Sequence, residues 1–391
     1  MTQILGRLNF NLKPAYFMHI DLNSCFATVE QQANPLLRNR PVAVAAYDTP
    51  RGVIIAPSVE AKKLGIRVGF RVAEAKKLCP KITILQPDAD KYRYIHHELR
   101  RVLDSYTNEI IPQSVDEFVL DFKNTPHYKK GLLNVGTEIK KRIKEEIGNY
   151  ITVSIGVSKN KFLAKTASNL KKPDGLEQID ENNFLDVYSN LELPDLCGIG
   201  SKLTARLTAH GIHNVLQFYH TPAYELKNIF KSVAGYYWYL KLRGYEVENY
   251  NSTRRTFGQQ YALPVPVENI KKLTPVLIKL AEKMGQRLRN AGYKTQGVRL
   301  GLLYTDNTYW HMGRKTPKTI YNSKDIYKEM VKLYFRSPKK PIKTISVSCF
   351  NLTKSDHTQL ELFAKLENNE ILYKILDKIN NRWGKFVIGP A

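Results

Sequence analysis

The stretch YFMHIDLNSCFATVEQ, residues 16–31, decides how this chain is read. Tyr16, Phe17, Met18, His19 and Ile20 form an apolar run with the character of a buried strand, and the run stops on Asp21. A carboxylate is costly in an apolar interior unless it is paired or holds a cation, so Asp21 at a strand end needs a partner. Five residues later Phe26 stands where a helix is already beginning.

Outward from this point, strand and helix patterns alternate. PVAVAAY (41–47) and KITILQP (81–87) read as strands. VEAKKLGIRVG (59–69) reads as a short helix closed by Gly65, and FRVAEAKKLCP (70–80) as another ended by Pro80. YRYIHHELRRVLDSY (92–106) is a helix with a basic face. EIIPQSVDEFVLDF (109–122) alternates like a hairpin. In EIKKRIKEEIG (138–148) the residues Ile139, Ile143 and Ile147 recur every four positions, the stripe of an amphipathic helix. ITVSIGVS then returns to strand, so a mixed sheet covered by helices is expected.

After about residue 180 short helices take over, and LPDLCGIGSKLTARLTAHGI (193–212) reads as helix, tight glycine turn, helix. YEVENYNSTRRTF (245–257) has few core residues and reads as a linker. A second α+β pattern follows. A long helix carries Leu277, Leu280, Ala281, Met284 and Leu288; GVRLGLLY and KTISVSCF read as strands; Leu372, Ile375, Leu376 and Ile379 mark a last amphipathic helix.

Three hundred and ninety-one residues allow two to four domains, and 43% hydrophobic content is ordinary for a globular chain. The charge is not ordinary. Sixty Lys and Arg against 36 Asp and Glu leave +24, which favours a polyanionic partner, nucleic acid or an anionic membrane surface. No apolar run is long enough to span a membrane, and the N-terminus lacks the succession of a signal peptide. Four scattered cysteines form no CxxC pair, which argues against a disulfide framework and a zinc site. A reduced, cytoplasmic protein with no membrane attachment is expected.

The chemistry concentrates in SVDE (114–117), where Asp116 and Glu117 lie between two apolar strands. Ser, Asp and Glu are also ordinary turn residues. Asp21 at another strand end favours the second reading, a hard-oxygen site for Mg²⁺. Two such ions about 3.5–4 Å apart suit in-line phosphoryl displacement. No GxxxxGK[ST] loop, HExxH or Ser-His-Asp signature offers another chemistry. GIGSK (198–202) is a helix-hairpin-helix signal, its glycines bringing backbone N–H groups close to a DNA phosphate.

In this order the segments FMHIDLNSCFATVEQ, LRNRPVAVAA, IIAPSVEAKKLGI, SVDE, SIGVSKNKFLAKTASNLKKPDGL and LPDLCGIGSKLTARL resemble the Y-family (translesion, error-prone) DNA polymerases over nearly the whole chain. The EAKKLGI form leans toward the SOS-mutagenesis branch rather than the DNA polymerase IV branch. The resemblance implies a multidomain α+β right hand. Its palm would span 15–24 and 89–176, its fingers 25–88, and its helix-hairpin-helix thumb 177–246. A linker at 247–256 would lead to a little finger at 257–391.

It further implies Asp21, Asp116 and Glu117 as catalytic carboxylates, joined by the carbonyl of Leu22 in holding two Mg²⁺ ions. Phe26 would be the steric gate against ribose, and Lys172 would reach the triphosphate of an incoming dNTP. Where the family carries Tyr and Arg three apart for the same triphosphate, this chain has Val59 and Lys62; Lys lacks the fork of Arg. Cys25 is a second departure, since an aromatic usually precedes the gate. Gly198, Gly200, Lys202, Arg254 and Arg255 would hold the primer–template DNA. QLELF (359–363) resembles a sliding-clamp-binding peptide through Gln359, Leu362 and Phe363. The implied activity is low-fidelity, template-directed DNA synthesis past damage. Two alternatives are a catalytically impaired DNA-binding or regulatory homologue of the same fold and another two-metal enzyme on a palm-like sheet, such as a nucleotide cyclase.

Overall fold

The computed structural model describes residues 8–247, 254–354, 369–384 and 387–388. The chain divides near Tyr250 into two compact units.

In the first unit β1 (Phe17–Leu22) leads into α1 (Cys25–Ala33), then β2 (Val42–Ala45), β3 (Ile54–Pro57), α2 (Val59–Lys63), α3 (Val72–Leu78) and β4 (Thr83–Leu85). The helix α4 (Ala89–Leu103) precedes β5 (Ile110–Pro112) and β6 (Glu117–Asp121), followed by α5 (Leu132–Glu146), β7 (Val153–Ser158), α6 (Lys161–Leu170) and β8 (Leu176–Ile179). Five short helices close the unit: α7 (Phe184–Ser189), α8 (Ser201–Thr208), α9 (Val215–His220), α10 (Ala223–Phe230) and α11 (Ala234–Lys241).

The strands form a five-stranded sheet in the order β5-β6-β1-β7-β8, with β1 antiparallel to both neighbours. Alternate side chains point to opposite faces of a strand. Met18, Ile20 and Leu22 of β1, with Phe118 and Leu120 of β6, therefore join one core with Leu99 and Val102 of α4 and Ile139 and Ile143 of α5. The other face carries Phe17, His19 and Asp21. Phe17 packs with Val119 and with Ala164 of α6, and His19 meets Ser168 of α6 through Nδ1 at 3.1 Å. Further along this face Lys165 of the same helix meets Glu117, and the helix ends at Leu170. A three-stranded sheet, β3-β2-β4, has its own small core of Ala43, Ala45, Ile54, Ala61, Ile66 and Val72. Phe10, Tyr188, Leu207, Phe218 and Leu226 centre the core of the short helices.

One arm of the expected helix–glycine–helix differs. The second is α8, but the first is a single 3₁₀ turn, Leu193–Asp195. Leu196 is already extended and Gly198 sits at φ 101°, a left-handed conformation that glycine adopts without a Cβ penalty.

The second unit runs β9 (Thr256–Val267), α12 (Ile270–Asn290), β10 (Tyr293–Tyr304), β11 (Tyr309–Ile320), α13 (Ser323–Tyr334), β12 (Ile342–Lys354) and α14 (Asn369–Trp383). Its antiparallel sheet has the order β11-β10-β12-β9. Leu277, Leu280, Met284 and Leu288 of α12 pack with Val298, Leu300, Ile345 and Val347 of the sheet. The apolar stripe expected on α14 is partly corrected. Tyr373, Leu376 and Asp377 are buried, whereas Leu372 and Ile375 are exposed. A bidentate pair between Arg289 of α12 and Asp377 (2.6 and 2.8 Å) turns the helix, because a buried guanidinium needs its carboxylate. Among the described residues no helix is long and apolar enough to cross a membrane.

Candidate active site

The β1–β6 ladder pairs Asp21 directly with Glu117, so their side chains share one face. One step on, the N–H of Leu22 donates to the carbonyl of Asp116 at 2.9 Å. Two strand ends about a hundred residues apart in sequence thus set the segments carrying the three expected carboxylates side by side. The Lys172 ammonium meets Asp21 at 2.7 Å, and Lys165 of α6 meets Glu117 at 2.5 Å. The Ser114 hydroxyl donates to Asp116.

Burial pushes the Asp21 carboxyl above its ordinary value, opposed by Lys172. Glu117 goes the other way. His19, whose Nε2 is 3.7 Å away, and the closer Lys165 hold it down to about 2. The His19 contact is longer than a hydrogen bond, so the charge-assisted Lys165 contact is the stronger hold.

A cavity of about 540 Å³ opens beside these groups, lined among others by Asp21, Cys25, Phe26, Val59, Lys62, Asp116 and Lys172. Ser24, at φ 50°, turns the chain into α1 and so aims Phe26 at the cavity. The Phe26 ring stacks on Tyr92 with centroids 4.3 Å apart. Cys25 is buried, and burial followed by the charges of Asp116 and Asp21 raises its thiol far above the usual cysteine value. Desolvation and then Lys172 pull the Lys62 ammonium below the usual lysine value. Two lysines crowding one cavity repel each other, and an anionic ligand relieves that repulsion.

Three carboxylates and a backbone carbonyl are the hard oxygen donors that suit a divalent cation. Ammonium groups already sit on two of the three, which shows where this site favours positive charge. Among the described residues no three such side chains converge closely enough to hold an ion as they stand. The fit thus rests on donor chemistry and strand register.

The other expected residues lie elsewhere. Gly198, Gly200 and Lys202 are exposed around the start of α8, with Gly200 as its N-cap. Arg254 and Arg255 are exposed in the second unit, and Arg254 lies over the Phe257 ring at 4.7 Å. Gln359, Leu362 and Phe363 fall outside the described residues. Sequence reasoning missed His19, Asn23 and Lys165. For Lys165 a signal existed: Phe162, Leu163, Ala164, Thr166, Ala167 and Ser168 around it are all buried, and a lysine in such a helix needs a counter-charge.

Solved structures share the fold. The fold matches a Y-family DNA polymerase chimera, Dbh-Dpo4-Dbh, at a TM-score of 0.75 and 24% identity, covering 86% of this chain and 99% of that one. An insertion ternary complex of Dbh DNA polymerase matches at a TM-score of 0.58. The fold is thus the multidomain α+β right hand of the Y-family DNA polymerases. A sequence model of the impB/mucB/samB family matches residues 20–169, and that of its C-terminal domain matches 253–362. DNA polymerase IV of Pelotomaculum thermopropionicum is 31% identical over 375 residues, 94% of this chain and 92% of its own. That of Moorella thermoacetica is 32% identical over 379 residues, 95% of this chain and 94% of its own. DNA polymerase IV 1 of Bacillus subtilis is 28% identical over 386 residues, 96% of this chain and 92% of its own.

The chain belongs to the impB/mucB/samB family and is a translesion DNA-directed DNA polymerase of the Y family. All three relatives bear the DNA polymerase IV name, the branch from which the EAKKLGI segment leans away. Activity in this family depends on divalent metal. Nothing in these comparisons favours an impaired homologue.

Proposed function

We propose that this polymerase extends a primer across damaged template with Asp21, Asp116, Glu117 and the carbonyl of Leu22 as ligands of two Mg²⁺ ions. The observation that carries this reading is the direct register of Asp21 with Glu117 beside a cavity also lined by Phe26 and Lys172. When bound, the ions supply Lewis-acid stabilisation of phosphate charge and lower the pKa of the attacking hydroxyl.

The primer 3′-OH attacks the α-phosphate of the dNTP, and pyrophosphate leaves. Lys172 and Lys62 bind the triphosphate as point charges; Val59 offers it no hydrogen bond. Phe26 occupies the space a ribose 2′-hydroxyl requires and so selects deoxynucleotides. Palm (15–24, 89–176), fingers (25–88) and thumb (177–246) are the expected parts of the first unit. The division near Tyr250 supports a linker at 247–256 and a little finger beyond it. Gly198, Gly200 and Lys202 of the thumb, and Arg254 and Arg255 at the end of the linker, grip the DNA backbone. Gln359, Leu362 and Phe363 bind a sliding clamp.

Extension of a primed template with dNTPs and Mg²⁺ tests the catalytic assignment. Partners one shell away from a metal cost about 10–100-fold, so Asp116→Ala should cost more than about a hundredfold. Equal extension by the variant would sink the assignment. Deleting Gln359–Phe363 should abolish clamp pull-down while leaving distributive synthesis intact, and undiminished pull-down removes the clamp role.

A further inference from the structure

Asn23 follows the carbonyl ligand Leu22, lines the same cavity and is only 4% exposed. Its Oδ1 accepts from the backbone N–H of Asp174 at 2.8 Å and from the Thr152 hydroxyl at 3.2 Å. Its Nδ2 donates to Ser154 Oγ at 2.9 Å, and that oxygen accepts the N–H of Gly175 at 3.3 Å. One side chain and its immediate partner thus satisfy both N–H groups of the turn that follows Lys172. Asn23 is itself held firmly. Its N–H donates to the Thr152 carbonyl at 2.9 Å, and its carbonyl accepts from the Thr28 hydroxyl at 2.7 Å.

The turn needs such a support. Asp174 adopts φ 59°, a left-handed conformation uncommon outside glycine. From the other side the Asp174 carboxylate is held by Lys140 at 3.2 Å and Lys144 at 2.9 Å. Asn23 links the turn to the segment that carries Asp21 and Phe26, and Lys172 duly reaches Asp21 at 2.7 Å.

We propose that Asn23 is a positioning residue for the nucleotide triphosphate, acting through Lys172. It sets where the Lys172 ammonium stands relative to Asp21 and Phe26, so that triphosphate, metal ligands and sugar check keep one register. This rests on the reading that Lys172 binds the triphosphate. Removing the amide strands the half-buried N–H of Asp174, which must then move or find water. Aspartate should replace it, since a carboxylate accepts from Asp174 and the Ser154 hydroxyl can rotate to donate.

Single-nucleotide insertion by the full chain decides the matter, with Lys172→Ala, Asn23→Ala, Asn23→Asp and the double variant Asn23→Ala/Lys172→Ala. A missing buried hydrogen bond corresponds to about a tenfold effect, so Asn23→Ala should raise KM for the dNTP about tenfold with kcat little changed. Asn23→Asp should restore KM, and Asn23→Ala should add little on a Lys172→Ala background. A KM unchanged by Asn23→Ala, a loss confined to kcat, no restoration by Asn23→Asp, or the same factor in both backgrounds overturns the proposal. A KM unchanged by Lys172→Ala overturns it together with the triphosphate reading, and so is told apart. Should Asn23→Ala not fold by circular dichroism, Ser154→Ala removes the shared partner. It should raise KM likewise, and a normal KM there overturns the proposal.

Discussion

Phe26 is braced by a neighbouring ring. Its ring stacks on Tyr92, whose hydroxyl is hydrogen-bonded to Glu30 at 2.9 Å. Such a ring cannot swing aside cheaply, which is what a check on sugar shape requires. Phe26→Ala should raise ribonucleotide incorporation relative to deoxynucleotide by at least about tenfold, the scale on which a pocket wall discriminates one small group. Paired rNTP and dNTP insertion assays measure it, and an unchanged sugar preference would remove that role. Beside it, Cys25 lines the same cavity with a small, neutral side chain. No ring there competes for the space next to Phe26.

At the scale of elements, β1 works because its two faces have different duties, core on one and charge on the other. The helix α14 follows another logic: an ion pair, rather than its most apolar stripe, selects the face that docks. Breaking a buried pair by removing one partner costs about 3–5 kcal/mol. Arg289 and Asp377 are 9% and 12% exposed, so Asp377→Ala should destabilise the second unit by about 3 kcal/mol. Urea unfolding of the full chain reads this as an earlier C-terminal transition, and an unmoved transition would refute it.

Nearby, burial raises the Glu282 carboxyl above its ordinary value, although the Ser323 hydroxyl donates to it at 2.9 Å. A raised carboxyl favours the protonated form in the fold. The stability this contributes is complete below the unfolded value of about 4.3 and is lost as pH rises through the folded value. Glu282→Gln should therefore raise the Tm of this unit at pH 7 and match wild type below about pH 4. A Tm difference independent of pH would count against burial of the charge as the cause.

Over the whole molecule the excess of 24 positive charges governs how DNA is held. Each neutralised phosphate contributes about −0.9 to the slope of log K against log salt. Binding to primed duplex should fall about 10³–10⁵-fold between 50 and 200 mM salt if 6–10 phosphates are neutralised. Replacing Arg254 and Arg255 by Ala should flatten that slope by about one for each phosphate left without its cation, whatever the DNA sequence. Fluorescence anisotropy across a salt series checks both numbers.

Much of this was legible in the residues. Asp21, Asp116, Glu117, Phe26 and Lys172 stand in local patterns, strand ends and turns, that reveal themselves one segment at a time. The central strands of the five-stranded and four-stranded sheets were legible for the same reason, since burial writes apolar runs into the sequence. The edge strands β9 and β11 were not. Half or more of their residues are exposed, and with Pro264 and Pro266 in β9 they carry little apolar signal. Nor were the partners that hold the site. Lys165 on Glu117, His19 beneath it and Asn23 on Asp174 join segments 48, 98 and 151 residues apart. By itself the sequence determined which groups can do the chemistry. Only packing decided which charge answers which and where Lys172 stands, because such contacts depend on a distance in space that no local pattern encodes.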